Sequence, residues 1–173
     1  MTVRAVPTGI GHYLPDRVVE NSEFENSLNT SDEWIRSRSG IERRHFAAEG
    51  ETTSQMAVKA AQGALAMAGL KPDDIDAVIV ATSTPDLTFP SVGTMVQEGL
   101  GMTRGFAFDV QAVCAGFIFA LANANGMILS GQAEKVLVIG AETFSRIMDW
   151  DDRATCVLFG DGAGALVLEV RSG

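Results

Sequence analysis

Apolar positions along the chain switch between strand-like runs and helical spacing, and the alternation predicts a layered α/β domain. Val3–Thr8 reads as a strand closed by Gly9-Ile10-Gly11. One short helical signal starts near Asn21. A second starts at Thr30-Ser31-Asp32-Glu33, where Thr30 and Glu33 have capping-box spacing and Gly40 is placed to end the helix. The basic stretch Ile41–Phe46 reads as irregular. Behind the capping signal Thr52-Thr53-Ser54-Gln55, Met56, Ala57, Ala60, Ala61, Ala64, Leu65 and Ala68 recur at helical spacing, with Gly69 as stop and Pro72 beyond. Ala77–Ala81 (AVIVA) and Val136–Ile139 (VLVI) are continuous apolar runs, as expected of strands covered on both faces. Pro90-Ser91 opens a helix ended near Gly99–Gly101, Phe106–Asp109 is a short strand, and Cys114–Ser130 is a buried helix with small residues on several sides. Cys156–Phe159 and Ala165–Val170 read as strands joined by Gly160-Asp161-Gly162-Ala163-Gly164, a hairpin signal with Asp-Gly at its tip. The sum is a mostly parallel sheet with one antiparallel member. No internal repeat, low-complexity tract or linker divides the chain.

Residues 110–133 form a charge-free stretch of 24 residues, long enough to raise the question of a membrane span. Gln111, Asn123, Asn125, Ser130 and Gln132 interrupt it, and the unbroken apolar run is only Ala112–Ala122. A helix buried in protein fits better than a span. The 173 residues are enough for one domain with a real core. Thirteen basic against 22 acidic residues give a net charge of −9, with a pI near 4.6. That balance argues against broad nucleic-acid binding or a polybasic membrane anchor. Two cysteines and two histidines are too few for a disulfide framework or a Cys-His zinc site. The opening MTVRAVPTGIGHYLP lacks the layout of a signal peptide, so the expected compartment is the cytoplasm, with reduced thiols.

Cys114 is the sharpest candidate for chemistry. It follows a strand and opens a helix, so the thiol meets the positive end of the helix dipole, which favours thiolate. Ala115 and Gly116 leave room for a substrate carbonyl to approach. The competing reading is a buried structural cysteine, and for Cys156, within a strand, that reading is preferred. His12 and His45 have no motif spacing to Cys114 and read as solvated or satisfied histidines. Gly160–Gly164 precedes a strand rather than a helix, and Gly9-Ile10-Gly11 lacks a third glycine, so turn chemistry is favoured over phosphate binding at both. Arg36, Arg38, Arg43 and Arg44 against Glu42 leave a local +3 beside Trp34. An indole among guanidiniums can hold a purine and pair with phosphates, although such charge runs are more often solvated faces.

Several segments, in order along nearly the whole chain, resemble the bacterial β-ketoacyl-acyl-carrier-protein synthase III family of thiolase-like condensing enzymes. They are Gly9–Pro15 (GIGHYLP), Thr30–Ile35 (TSDEWI), Arg38–Arg44 (RSGIERR), Phe89-Pro90-Ser91, Phe106–Phe117 (FAFDVQAVCAGF) and Phe159–Ala165 (FGDGAGA). The resemblance implies the first half, residues 1–173, of a five-layer αβαβα sandwich. It implies that Cys114 is the nucleophile that takes an acyl group from acyl-coenzyme A, acetyl-coenzyme A being the expected primer. No cofactor is implied, because the coenzyme thioester is itself a substrate. Trp34 and Arg38 resemble the pair that clasps the adenine, with Thr30 nearby and Arg153 as a further nucleotide contact. Phe89 resembles the pocket residue lent across a homodimer interface, and Phe159 a wall near the nucleophile. Arg36, Arg43 and Arg44 are candidates for docking an acidic malonyl-acyl-carrier protein. The family chain is nearly twice as long, and its catalytic His and Asn lie in a second half with no matching positions here. The resemblance therefore implies that decarboxylation needs a second thiolase-like half, and that one side of the 114–130 helix lacks its cover. Two other readings stay open: a non-catalytic assembly half, and a condensing enzyme of a specialised lipid or polyketide pathway.

Overall fold

The computed structural model describes residues 2–173. Its centre is a five-stranded sheet in the order β1 (Val3–Tyr13), β7 (Asp161–Ser172), β6 (Lys135–Thr143), β4 (Ala77–Ala81), β5 (Phe106–Val110). β4 pairs in parallel with both β5 and β6, while β7 runs antiparallel to β6 and β1. One antiparallel member in a parallel sheet is what the sequence predicts. The arms of the antiparallel hairpin differ, however. Gly160–Gly164 is not a tip: β7 begins at Asp161, its partner is β6, and Cys156–Leu158 is a single 3₁₀ turn in the long connection.

Helices α3 (Thr53–Ala68) and α4 (Val92–Leu100) cover one face of the sheet, and α5 (Gly116–Leu129) lies on the other. α3 starts at a complete capping box, with the Thr52 side chain accepting from the Gln55 N–H and the Gln55 side chain accepting from Thr52 N–H. It ends at Gly69 in the left-handed region, φ 69°. Its inner face is Ala57, Ala60, Ala61 and Ala64, all fully buried, which lets the helix axis approach the sheet closely. That approach explains why β1 does not end at Gly9. A β-carbon at Gly9 would lie 2.1 Å from the Ala64 carbonyl oxygen, and one at Gly11 2.2 Å from that of Ala60. The two glycines lie within the strand and accommodate the helix, and the chain stays extended to Tyr13. β4 is buried at every position, as AVIVA requires in the middle of a covered sheet.

A smaller unit stands beside this sandwich. β2 (Arg17–Glu20) pairs antiparallel with β3 (Arg43–Phe46), so the end of the stretch expected to be irregular is a strand. α1 (Ser22–Glu25) and α2 (Asp32–Ser39) pack on it around Val19, Phe24, Ile35, Phe46, Cys156 and Val157. Each large side chain buried there contributes about 1.5–3 kcal/mol. The N-cap of α2 is Ser31, accepting from Trp34 N–H at 3.1 Å, not Thr30. No helix among the described residues is long and apolar enough to cross a membrane.

Candidate active site

The carboxyl ends of β4, β5 and β6 meet at the start of α5, the place where open α/β sheets present ligands. The chain leaves β5 at Val110 and turns through the 3₁₀ turn Val113–Ala115 into α5. Cys114 is therefore one turn ahead of the helix, at its N-terminal mouth, and it is exposed. Val113 is the only non-glycine residue with positive φ among those described, at 46°. A β-branched residue is disfavoured there, and such positions cost on the order of 1–3 kcal/mol and cluster at functional sites. Gly116 eases the approach of the elbow to the sheet, because a β-carbon there would press on the Ala81 side chain at 3.3 Å.

α5 is covered on one side only. Ala120, Ala124 and Ile128 are buried against the sheet, while Ile118 is 62% exposed, and Phe119 and Leu129 are also exposed. Beside it an apolar recess of about 460 Å³ opens over β1 and β7, lined by Ile10, His12, Phe117 and Leu166 among others. The helix expected to be buried thus has an uncovered apolar face within this chain.

The residues expected to hold a nucleotide converge. Arg38 Cζ stands 5.2 Å, and Arg153 Cζ 4.9 Å, from the Trp34 ring centroid. Each such contact is worth about 0.5–1 kcal/mol at an exposed site. α2 carries Trp34 and Arg38, and the guanidinium of Arg153 donates to the Asn29 carbonyl, which ties the 149–153 segment to the entry of α2. Hydrogen bonds from the Thr155 hydroxyl and the Ala154 N–H hold the Asp152 carboxyl below its usual range and shape the turn beside Arg153. Thr30 is half-buried, and its hydroxyl oxygen has no hydrogen-bond partner.

Phe89 is 82% exposed in the segment between β4 and α4. Phe159 is half-buried and stacks on Phe144, with ring centroids 4.8 Å apart. Arg36 is paired with Glu42 at 2.8 Å and Asp32 at 3.7 Å, and Arg43 is exposed. Arg44 is not a docking residue. It is buried, donates to the carbonyls of Val157 at 2.9 Å and Val19 at 3.4 Å, and lies over the Phe24 ring. Burial lowers its pKa below the ordinary value, offset in part by Cys156 and by Glu20 and Glu23. The sequence places Arg44 in a basic run. Its carbonyl partners stand 25 and 113 residues away, beyond the reach of local pattern.

Cys156 is fully buried, and burial pushes its thiol up, consistent with an inert side chain, although it lies in a 3₁₀ turn rather than a strand. His45 is half-buried with Nδ1 2.6 Å from the Pro15 carbonyl oxygen, while His12 is exposed at the apolar recess. Neither is in hydrogen-bond contact with Cys114. Sequence reading missed Asp161, a buried carboxylate that accepts from Ala47 N–H at 2.7 Å and from Ser145 N–H at 2.8 Å, locking the start of β7 to both loops. Its place in an Asp-Gly pair reads locally as a turn.

The family model for 3-oxoacyl-[acyl-carrier-protein] synthase III matches residues 108–173, the part that carries Cys114 and β7. The β-ketoacyl-[acyl-carrier-protein] synthase III of Rhodobacter capsulatus is 79% identical over 173 residues, covering all of this chain and 53% of its own. The chain belongs to the β-ketoacyl-[acyl-carrier-protein] synthase III family. It spans about half the length of the curated relatives it matches. The fold agrees. The 3-oxoacyl-[acyl-carrier-protein] synthase III of Aquifex aeolicus superposes with a TM-score of 0.94 at 50% identity, over 97% of this chain and 54% of that one. The priming β-ketosynthase of the R1128 polyketide pathway superposes with a TM-score of 0.92 at 38% identity, over 97% and 50%. The sandwich of α3 and α4, sheet and α5 is thus the first half of the thiolase-like architecture of this family.

Proposed function

We propose that this chain is the nucleophile-bearing half of a β-ketoacyl-acyl-carrier-protein synthase III, condensing a short acyl-coenzyme A with malonyl-acyl-carrier protein to start fatty-acid synthesis. The observation that carries the reading is the exposed Cys114 thiol at the mouth of α5, next to the strained Val113. Cys114 Sγ attacks the thioester carbonyl, the carbon–sulfur bond to coenzyme A breaks, and coenzyme A leaves with the proton of the thiol. Malonyl-acyl-carrier protein then loses carbon dioxide. The resulting enolate carbon attacks the acyl-Cys114 carbonyl, releases the thiolate, and leaves a β-ketoacyl-carrier protein. The charge on that enolate needs preorganised donors, where loss of one typically costs about 10²–10³ in rate. In this reading a His and an Asn of a second half, packed over the uncovered face of α5, supply them.

Trp34 and Arg38 clasp the adenine in this reading, with Arg153 and Thr30 at the nucleotide end. Phe89 closes the acyl pocket across a homodimer, and Phe159 forms a wall near Cys114. Arg36 and Arg43 remain the docking residues for the acidic carrier protein. The reaction uses no cofactor, and the compartment is the cytoplasm. The test is labelling of the full-length protein with radiolabelled acyl-coenzyme A. Wild type incorporates one acyl group per chain and Cys114→Ser incorporates none; undiminished labelling of the variant refutes the assignment.

A second reading changes the pathway and keeps the chemistry. The likeness to a polyketide priming ketosynthase favours it. Assaying the full-length protein with carrier proteins from each type of pathway separates the two by relative kcat/KM.

A further inference from the structure

The segment that carries Phe89 is held from both sides by carboxylates. On the way in, Glu142 at the end of β6 accepts from Ser83 N–H at 2.8 Å and from the Thr84 hydroxyl at 2.5 Å. Asp86 accepts from Ser54 N–H at 3.0 Å and from the Ser54 hydroxyl at the start of α3. On the way out, Asp109 on β5 takes Val92 N–H on one oxygen and Gly93 N–H on the other, both at 2.8 Å. These are the first two amides of α4, which its own helix leaves unpaired. The approach is close: a β-carbon at Gly93 would lie 3.2 Å from the Phe108 carbonyl oxygen. A segment fixed this firmly nevertheless presents Phe89 at 82% exposure, with Leu87 also exposed. Exposed loop tips are usually the mobile part of a fold, and here the large apolar side chain is the part being aimed.

Asp109 stands out among the three carboxylates by its position. It lies five residues before Cys114, on the strand that delivers the thiol. Its two hydrogen bonds fix Val92 and Gly93, which follow Phe89-Pro90-Ser91 directly. One side chain therefore ties the segment that closes the partner's pocket to the strand that carries this chain's own nucleophile. We infer that Asp109 is a positioning residue for acyl-chain length, acting through Phe89. The inference rests on the condensing-enzyme reading above. With both oxygens engaged, the first turn of α4 cannot slide along β5, so Phe89 stands at a fixed depth. With one acceptor lost, that turn relaxes and the partner's pocket, which this Phe89 closes, deepens.

The experiment uses the full-length protein and compares kcat/KM for acetyl-, butyryl- and hexanoyl-coenzyme A in wild type, Asp109→Asn, Phe89→Ala and the double variant. Asp109→Asn keeps the side-chain volume and one carbonyl oxygen, so it retains one of the two hydrogen bonds and the fold. The expected result is a shift of about 10-fold in the hexanoyl-to-acetyl ratio, the low end of what pocket depth decides. Phe89→Ala shifts the ratio in the same direction, and adding Asp109→Asn to it shifts the ratio no further. Amide exchange at Val92 and Gly93 accelerates in Asp109→Asn. A merely structural role lowers all three substrates alike and leaves the ratio unmoved, and that result in a folded variant overturns the proposal. A wild type that turns over none of the three overturns the functional reading, and the proposal with it.

Discussion

Placing a methyl group at Gly11 tests the physical basis of the α3–sheet contact. In Gly11→Ala the new β-carbon lies 2.2 Å from the Ala60 carbonyl oxygen and 2.4 Å from the Ala64 nitrogen. Both are backbone atoms of the same helix, so no side-chain rotation relieves the contact. Reaching even the 3.0 Å lower limit of real β-carbon contacts requires α3 to retreat by about 0.8 Å. A gap of that size forfeits about a quarter to a half of the dispersion attraction across the interface. The interface holds Ala57, Ala60, Ala61 and Ala64, all fully buried. Over-packing of this kind costs about 1–3 kcal/mol, occasionally more, and two backbone clashes place Gly11→Ala at about 3 kcal/mol. With an m-value of about 2 kcal/mol/M, the urea midpoint falls by about 1.5 M. Fluorescence of Trp34 and Trp150 follows the transition. Gly126→Ala is the control, since nothing lies within 4 Å of its β-carbon and a helical alanine gains about 0.5–1 kcal/mol over glycine. A midpoint for Gly11→Ala equal to wild type refutes the argument that β1 carries these glycines to admit the helix.

Other outcomes follow from the same geometry. Arg44→Ala leaves the carbonyls of Val157 and Val19 without their buried donor and lowers stability by about 3 kcal/mol; an unchanged melting temperature contradicts this. Thr52→Ala removes the α3 capping box for about 1 kcal/mol, a fall of about 2–4 °C in Tm, and an unchanged Tm rules out that contribution. On the proposed reading, Trp34→Ala raises KM for acyl-coenzyme A by the loss of about 1–3 kcal/mol of base stacking while kcat holds, and an unmoved KM removes Trp34 from the proposed nucleotide site. Burial pushes the Glu51 carboxyl up, but hydrogen bonds from Tyr13, Lys59 and Ala48 outweigh it and hold it below the usual range. A folded-state pKa below the unfolded one means that this group's stabilisation is complete above about pH 4.3 and is lost as pH falls through the folded value. Glu51→Gln therefore lowers the urea midpoint at neutral pH, and the gap closes on acidification; a gap independent of pH sinks the assignment.

Elements set by local chemistry were readable from the sequence. The Thr52 box, the Gly69 and Gly40 stops, the AVIVA strand and the small-residue helix after Cys114 each depend on neighbours within a few positions. Features fixed by distant partners were not. Gly9 and Gly11 read as a strand end, because nothing nearby announces that Ala64 and Ala60 press against them. Asp161-Gly162 reads as a turn, although its carboxylate is bonded to Ala47 and Ser145. Arg44 reads as one more surface cation in a basic run, yet two carbonyls and an aromatic ring enclose it. At the candidate site, Trp34, Arg38 and Arg153 were singled out together only through the resemblance, and the structure brings the three into contact. The carboxylates that hold the Phe89 segment carry no local signal, since their partners are backbone amides 16 to 59 residues away.

Helix α5 turns Ala120, Ala124 and Ile128 toward the sheet and Ile118 and Phe119 away from it. Such a helix reverses the usual rule for tolerated mutations. A lysine introduced at Ile118 is harmless while that flank meets water and ruinous once another layer of protein presses on it. Substitution profiles taken with and without the second half proposed above should therefore disagree most along this one flank.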